Sequence, residues 1–374
     1  MGISDRGTKA KSITSCDNAF VTNILLARDP GAKRSGSSDA PRKALSRNGN
    51  QPHVMVMSLN LVNGIVDKDF DIGRNEFIFK KLLRKYGYTN GVLIALILLL
   101  WISAFFIGDI FGVYSWTILK LILPVVGAIG LMVNFVMLII LIVKKQRSVK
   151  LFMNIVINII FIFPILMTMN IILCAYPNTI ERTQPSITVG WPLTEETVVG
   201  WGGNHVKDNL PHAVWASERW AYDLVMEPYN INSDSNEDYG IWNKEINAPV
   251  SGIVVAVSND EADITPGTED FTSIEGNYVY IKIKETGTYL LLNHLKKDSV
   301  TVEVGDTVEP GDVMGRVGNS GSSSEPHLHI HHQRQDPTKV IHPVLAEGLP
   351  LFFEDTHGDL MPKKGAIIKP QTDE

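Results

Sequence analysis

Cysteine is nearly absent, with Cys16 and Cys174 the only two in 374 residues, which excludes a disulfide-stapled fold. Charge is absent from three long stretches, 91–108, 121–143 and 151–176. Each reaches the roughly 20 residues that a bilayer core requires, so the sequence predicts three transmembrane helices. There is no apolar run near Met1, hence no sign of a cleavable signal peptide. No basic patch interleaved with aromatics is present, so no nucleic-acid partner is expected. The formal net charge of −6 selects no partner class.

What is there begins with the cations that flank the apolar runs. Lys80, Lys81, Arg84 and Lys85 precede the first, and Lys144, Lys145, Arg147 and Lys150 fill the second connector. Positive segments stay in the cytoplasm. The amino terminus is therefore expected inside, and everything after Tyr176 outside the cytoplasmic membrane. Residues 1–52 are polar and basic, too poor in apolar surface to offset chain entropy, and read as a disordered tail. Residues 53–90 read as a cytoplasmic segment and 91–176 as the three-helix region. Within it, Asn154 and Asn158 share a helix face, which suits interhelical hydrogen bonding, and Pro124 and Pro164 are expected to kink their helices.

From about residue 185 the pattern changes to short alternating runs bounded by Gly, Pro, Asn and Asp, the signature of antiparallel β structure. Val279, Ile281 and Ile283 alternate with polar neighbours, and a turn at 285–287 leads into 288–294, predicting a hairpin that puts Leu290, Leu292 and His294 on one face. Further strands are expected at 252–257, 300–304 and 313–317. The class is all-β, with an outside domain over 177–350 and a C-terminal tail over 351–374. Its glycine turns echo biotin and lipoate carriers, but the hairpin between the two halves carries His294 where a carrier needs an exposed lysine.

Four of the ten histidines fall within the six residues His327-Leu328-His329-Ile330-His331-His332. On a strand, side chains alternate, so His327, His329 and His331 share one face. Neutral imidazole is the commonest zinc ligand, and a catalytic zinc site uses three protein ligands and an open position. Candidate partners from elsewhere are His205, His212, Asp223, His294 and His327. Asp223 sits in an apolar segment where a carboxylate is costly unless paired or bound to metal.

The segments "PHAVWASERWAYDLV", "NHLK", "VGNSG" and "PHLHIHH" together resemble the lysostaphin-type or LytM-type zinc endopeptidases, which cut peptidoglycan peptides. The resemblance covers about 195–345. It implies an antiparallel lysostaphin-like groove, a Zn2+ cofactor held by His212, Asp223 and His329, and two catalytic histidines, His294 and His327. The partners it implies are peptidoglycan stem or bridge peptides, beside the lipid bilayer that the apolar runs require. The chain departs from the family at two places. Where many members carry the first histidine, four residues before the aspartate, it has Arg219, so His212 is preferred over His205; and where a glutamate often follows the HxH motif it has His331. Without an HExxH glutamate, histidines must move the proton. A catalytically silent protein of the same fold, which binds peptidoglycan or activates another hydrolase, is the alternative. Loops 258–274 and 318–326 are expected to wall the groove.

Overall fold

The computed structural model describes residues 91–354, 356 and 358–370. The expected tail 1–52 and cytoplasmic segment 53–90 lie outside the described residues. Three apolar helices come first: α1, Gly91–Ile107 in its described part, α2, Asp109–Val143, and α3, Val149–Thr168. Of these, α2 and α3 have the length and apolarity to cross a membrane, and the described part of α1 is shorter.

Gly108 alone separates α1 from α2, at a φ of 69° that suits glycine. α2 begins twelve residues before the expected 121, because Val113, Trp116 and Leu119 pack against Ala104 of α1, Tyr176 and Ala216. Tertiary burial thus makes helix of a segment that reads as a connector. Ser148 caps α3 by accepting from Leu151 N. α3 ends earlier than the expected 176: Pro164 interrupts it and Asn170 turns left-handed.

Close approach of α2 and α3 depends on glycine. A Cβ at Gly127 would meet Phe161 and Ile162 at 2.8 Å, and one at Gly130 would overlap the Asn158 side chain. Asn158 Nδ2 donates to Asn154 O within its own helix. Pro124 has no N–H to offer the Lys120 carbonyl four residues back. A π-helical turn, Ile118–Ile122, sits there, and the Thr168 hydroxyl donates to Lys120 O at 2.9 Å.

The rest is mostly antiparallel β structure. Its strands are β1 (Ile187–Val189), β2 (Thr197–Trp201), β3 (Tyr222–Val225), β4 (Glu245–Asn247), β5 (Gly252–Ser258), β6 (Asn277–Ile283) and β7 (Tyr289–Leu295). There follow β8 (Thr307–Val308), β9 (Val313–Arg316), β10 (Leu328–Gln333), β11 (Gly348–Leu349), β12 (Leu351–Phe353) and β13 (Ile367–Ile368). The main sheet runs β13-β2-β3-β10-β7-β6-β5-β8, with β11 on β10; β4 pairs with β9, and β1 with β12 in parallel. One face of the sheet carries Leu224, Val254, Val279, Ile281, Leu290, Leu292, Leu328 and Ile330 into a core shared with Ile246, Met314 and Phe353.

The β6–β7 hairpin has the expected alternation, with Ile281 opposite Leu290 and Val279 opposite Leu292. Two readings change. Residues 300–304 form no strand, because the Asp306 carboxylate takes Glu303 N to close the turn, leaving Thr301 as the point of contact with 313–314. Residues 351–368, which read as a tail, supply β12 and β13 and bury Leu351, Phe353 and Ile368.

Candidate metal centre

β10 lies in the middle of the main sheet, with His329 opposite Asp223 of β3 on one side and Asn293 of β7 on the other. Because Leu328 and Ile330 point into the core, His329 and His331 must face the other way. His212 comes from outside the sheet, on the single-turn helix α4, Leu210–Ala213. Donor atoms of His212, Asp223 and His329 all lie within 4.8 Å of one another. His212 Nε2 is 3.3 Å from Asp223 Oδ2, and His329 Nδ1 is 3.0 Å from Asp223 Oδ1.

The outer hydrogen bonds fix which nitrogen of each ring faces inward. His212 Nδ1–H donates to Asn209 Oδ1 at 2.8 Å. Asn209 is fully buried and itself donates to Gly203 O and Ala221 O. His329 Nε2–H donates to His331 Nδ1 at 2.9 Å; His331 Nε2–H then donates to Gln333 Oε1, and Gln333 Nε2 to Gln335 O. Each donor has an acceptor in this one arrangement of tautomers. It leaves lone pairs on His212 Nε2 and His329 Nδ1 turned toward a carboxylate. Such converging acceptors, with no hydrogen between them, suit a divalent cation, and two imidazoles with one carboxylate form a zinc donor set.

His294 and His327 stand beside this cluster, their rings 4.7 Å apart, and the His294 ring is 5.9 Å from that of His329. His294 does not share a face with Leu290 and Leu292. Its φ is 64°, the pairing with β6 shifts register between Asn277 and Tyr278, and Leu295 takes the core position instead. The bulge is clamped: His294 N donates to Glu275 O, and Gly318 N donates to His294 O. His294 Nδ1–H donates to Ser320 O at 2.8 Å and His327 Nδ1–H to Glu325 O at 2.8 Å. Both rings therefore present a basic Nε2, and that of His327 is 3.6 Å from Asp223 Oδ1.

Burial governs the charge states. It would raise the Asp223 carboxyl, but the His212 and His327 rings beside it hold it well below the usual carboxylate range. Burial lowers His327, and burial followed by the neighbouring histidines lowers His294 and His331 well below the ordinary imidazole value. Buried together, the catalytic candidates His294 and His327 are neutral bases.

The other candidates fall outside the cluster. His205 is exposed. Arg219 is buried and bonds Tyr176 O and Asn204 O, serving the junction with the helices rather than the centre. His331 orients His329. Loops 258–274 and 318–326 join into one wall through Asp263 and Ser320, Gly267 N to Ser324 O, and Ser322 N to Ile274 O. Gly276 and Gly321 meet there so closely that a Cβ on Gly321 would lie 2.3 Å from Gly276 N. Sequence reasoning missed Asn209, Ser320, Glu325 and Gln333. It also missed Asn293, whose buried Oδ1 has no partner among the described residues. The asparagine before His294 in the "NHLK" element was the available signal.

Residues 238–340 match the family model described as peptidase family M23. That interval contains His294, His327 and His329, and His212 and Asp223 precede it. Among solved structures the chain is similar to lysostaphin, with 21% identity over 31% of this chain and 36% of that one and a TM-score of 0.22. It is similar to the catalytic domain of lysostaphin from Staphylococcus simulans, with 18% identity, 41% and 86% coverage and a TM-score of 0.24. For a zinc-containing peptidase from Vibrio cholerae the values are 18%, 39% and 36%, and 0.25. The chain thus spans about a third of full-length lysostaphin and about half of a Pseudomonas aeruginosa M23 protein. No curated protein sequence matches it. The motifs and the family match both place this chain's similarity to peptidase family M23 within its β-sheet region.

Proposed function

We propose that the chain is a zinc-dependent endopeptidase that hydrolyses peptide bonds of peptidoglycan at the outer face of the cytoplasmic membrane. The observation that carries this is the convergence of His212 Nε2, Asp223 and His329 Nδ1, their lone pairs aimed inward by hydrogen bonds on the far side of each ring. These three would hold the metal. Bound there, zinc supplies Lewis acidity toward a carbonyl oxygen and toward water at neutral pH.

The remaining steps belong to side chains of this protein. His327 Nε2 accepts the proton of the attacking water and returns it to the departing amine, and His294 Nε2, the second neutral base, accepts a hydrogen bond from that water and aims its oxygen at the carbonyl carbon. Such acid–base help is worth roughly 100-fold to 10,000-fold. The same face of the sheet continues past Asn293 to the stacked Tyr278 and Tyr280 and to Leu291, a floor for an extended peptide.

In this reading α1, α2 and α3 span the bilayer, with Lys144, Lys145 and Arg147 in the cytoplasm and the β domain outside. The exposed belt of Val125, Ile129, Met132, Phe135 and Val136 on α2 supports it. Incubation of the purified chain with cell-wall sacculi tests the proposal. Release of amino groups and shortened peptides by mass spectrometry is expected, lost in His327→Ala with zinc retained. A zinc-loaded wild-type chain that releases nothing would favour the silent, binding role.

A further inference from the structure

The segment that carries His212 is gripped by the helical region. Its first following carbonyl, Ala213 O, accepts from Tyr176 N at 2.8 Å. The next, Val214 O, accepts two hydrogen bonds from α2, from Trp116 Nε1 and from Lys120 Nζ, each at 3.0 Å. Lys120 Nζ also stands 3.9 Å from the centroid of the Trp215 ring. Trp116 is 1% exposed and Lys120 2%, so neither donor has water as an alternative.

This grip is itself held. The carbonyl of Lys120, deprived of an α-helical donor by Pro124, accepts from Thr168 at the end of α3. Trp116 packs edge-on against Tyr176, and the Tyr176 carbonyl accepts from Arg219. α2 and the linker through Tyr176 therefore meet at the two residues after His212, and α3 braces α2 there through Lys120 O. His212 has no strand to hold it, unlike Asp223 and His329, whose backbones sit in the sheet.

We propose that Trp116 and Lys120 are positioning residues for the metal centre: the membrane-side helices hold the His212 segment in register with the sheet, so metal affinity depends on the helical region. This rests on His212 being a metal ligand. Loss of a hydrogen bond to a ligand ring itself typically weakens metal binding 10-fold to 100-fold, and contacts that hold the ligand's backbone are expected at the lower end of that range.

The test uses the full chain in detergent micelles. Zinc affinity is measured by competition with a chromogenic chelator, and the geometry of the centre by the visible spectrum of the cobalt-substituted chain. Trp116→Phe keeps the ring and removes one donor; Lys120→Met keeps the apolar stem and removes the other. Each is expected to weaken zinc binding at least tenfold and to shift the cobalt bands, with Lys120→Arg restoring part of the loss. Arg182→Met is the control. Arg182 bonds Phe105 O and Phe106 O at the same junction without touching the His212 segment, and its loss should leave affinity within twofold. If Lys120→Met does not fold, Trp116→Phe carries the test alone. Wild-type affinity and spectrum in the Trp116 variant, or equal weakening in Arg182→Met, overturns the proposal. A wild-type chain that binds no zinc overturns instead the reading of the site on which it rests.

Discussion

The helical region and the β domain of this protein are built inside out relative to each other. On α2 and α3 the outward side chains are Ile129, Met132, Phe135, Phe152 and Ile160, and the buried ones include Asn134, Asn154, Asn158 and Thr168. In the β domain the core is aliphatic, with Val254, Ile281, Leu292 and Ile330 buried, and the strands turn Lys282, Glu245 and Thr307 outward. One amino-acid chain thus follows two opposite patterns of burial, which is what the proposed placement of one part in lipid and the other in water requires. Against that rule the β domain buries five histidines in one cluster, His212, His294, His327, His329 and His331.

The comparison can be broken most forcefully with acid. Burial pushes His332 down to about 4, although Pro350 O supports its charged form. Between pH 6.5 and 4 the unfolded chain therefore binds a proton that the folded domain refuses. This stabilisation is complete above pH 6.5 and is lost as pH falls toward 4, by roughly 3 kcal/mol. His294, His327 and His331 act with the same sign. Asn134, Asn154, Asn158 and Thr168 on α2 and α3 do not titrate, so acid should unfold the metal-free β domain and spare the helices. Urea melts of the metal-free chain at several pH values, with His332→Gln, should find the slope reduced by one proton. An unchanged slope would contradict this assignment.

Paired lysine substitutions sharpen the contrast further. Phe135 and Ile341 are both exposed, at 63% and 90%. Phe135→Lys should cost about 2.5 to 3.5 kcal/mol in membrane insertion, read as loss of protein from the membrane fraction. Ile341→Lys should change β-domain stability by less than about 0.5 kcal/mol. Equal effects at the two sites would remove the distinction between their surroundings.

Much of this was legible where it depended on alternation. The period of two in 327–332 put His329 and His331 opposite Leu328 and Ile330, and the same period set the β6–β7 hairpin. What was illegible depended on contacts distant in sequence. The left-handed His294 is imposed by Ser320 and Glu275 across the sheet, so strand alternation put it on the wrong face. β12 pairs with β1 far upstream, and a two-residue strand such as β13 has no period to read. The first turns of α2 are helical because Trp116 and Val113 find Tyr176, a partner that local sequence does not reveal. His212 was separated from His205 only by resemblance, and its buried tether Asn209 supplies the physical reason.

Metal content of the purified full chain and four single variants tests the account most directly. One zinc per chain is predicted for wild type and for His205→Ala, and none for His212→Ala, Asp223→Ala or His329→Ala. Zinc retained in those three, or lost with His205, would contradict it.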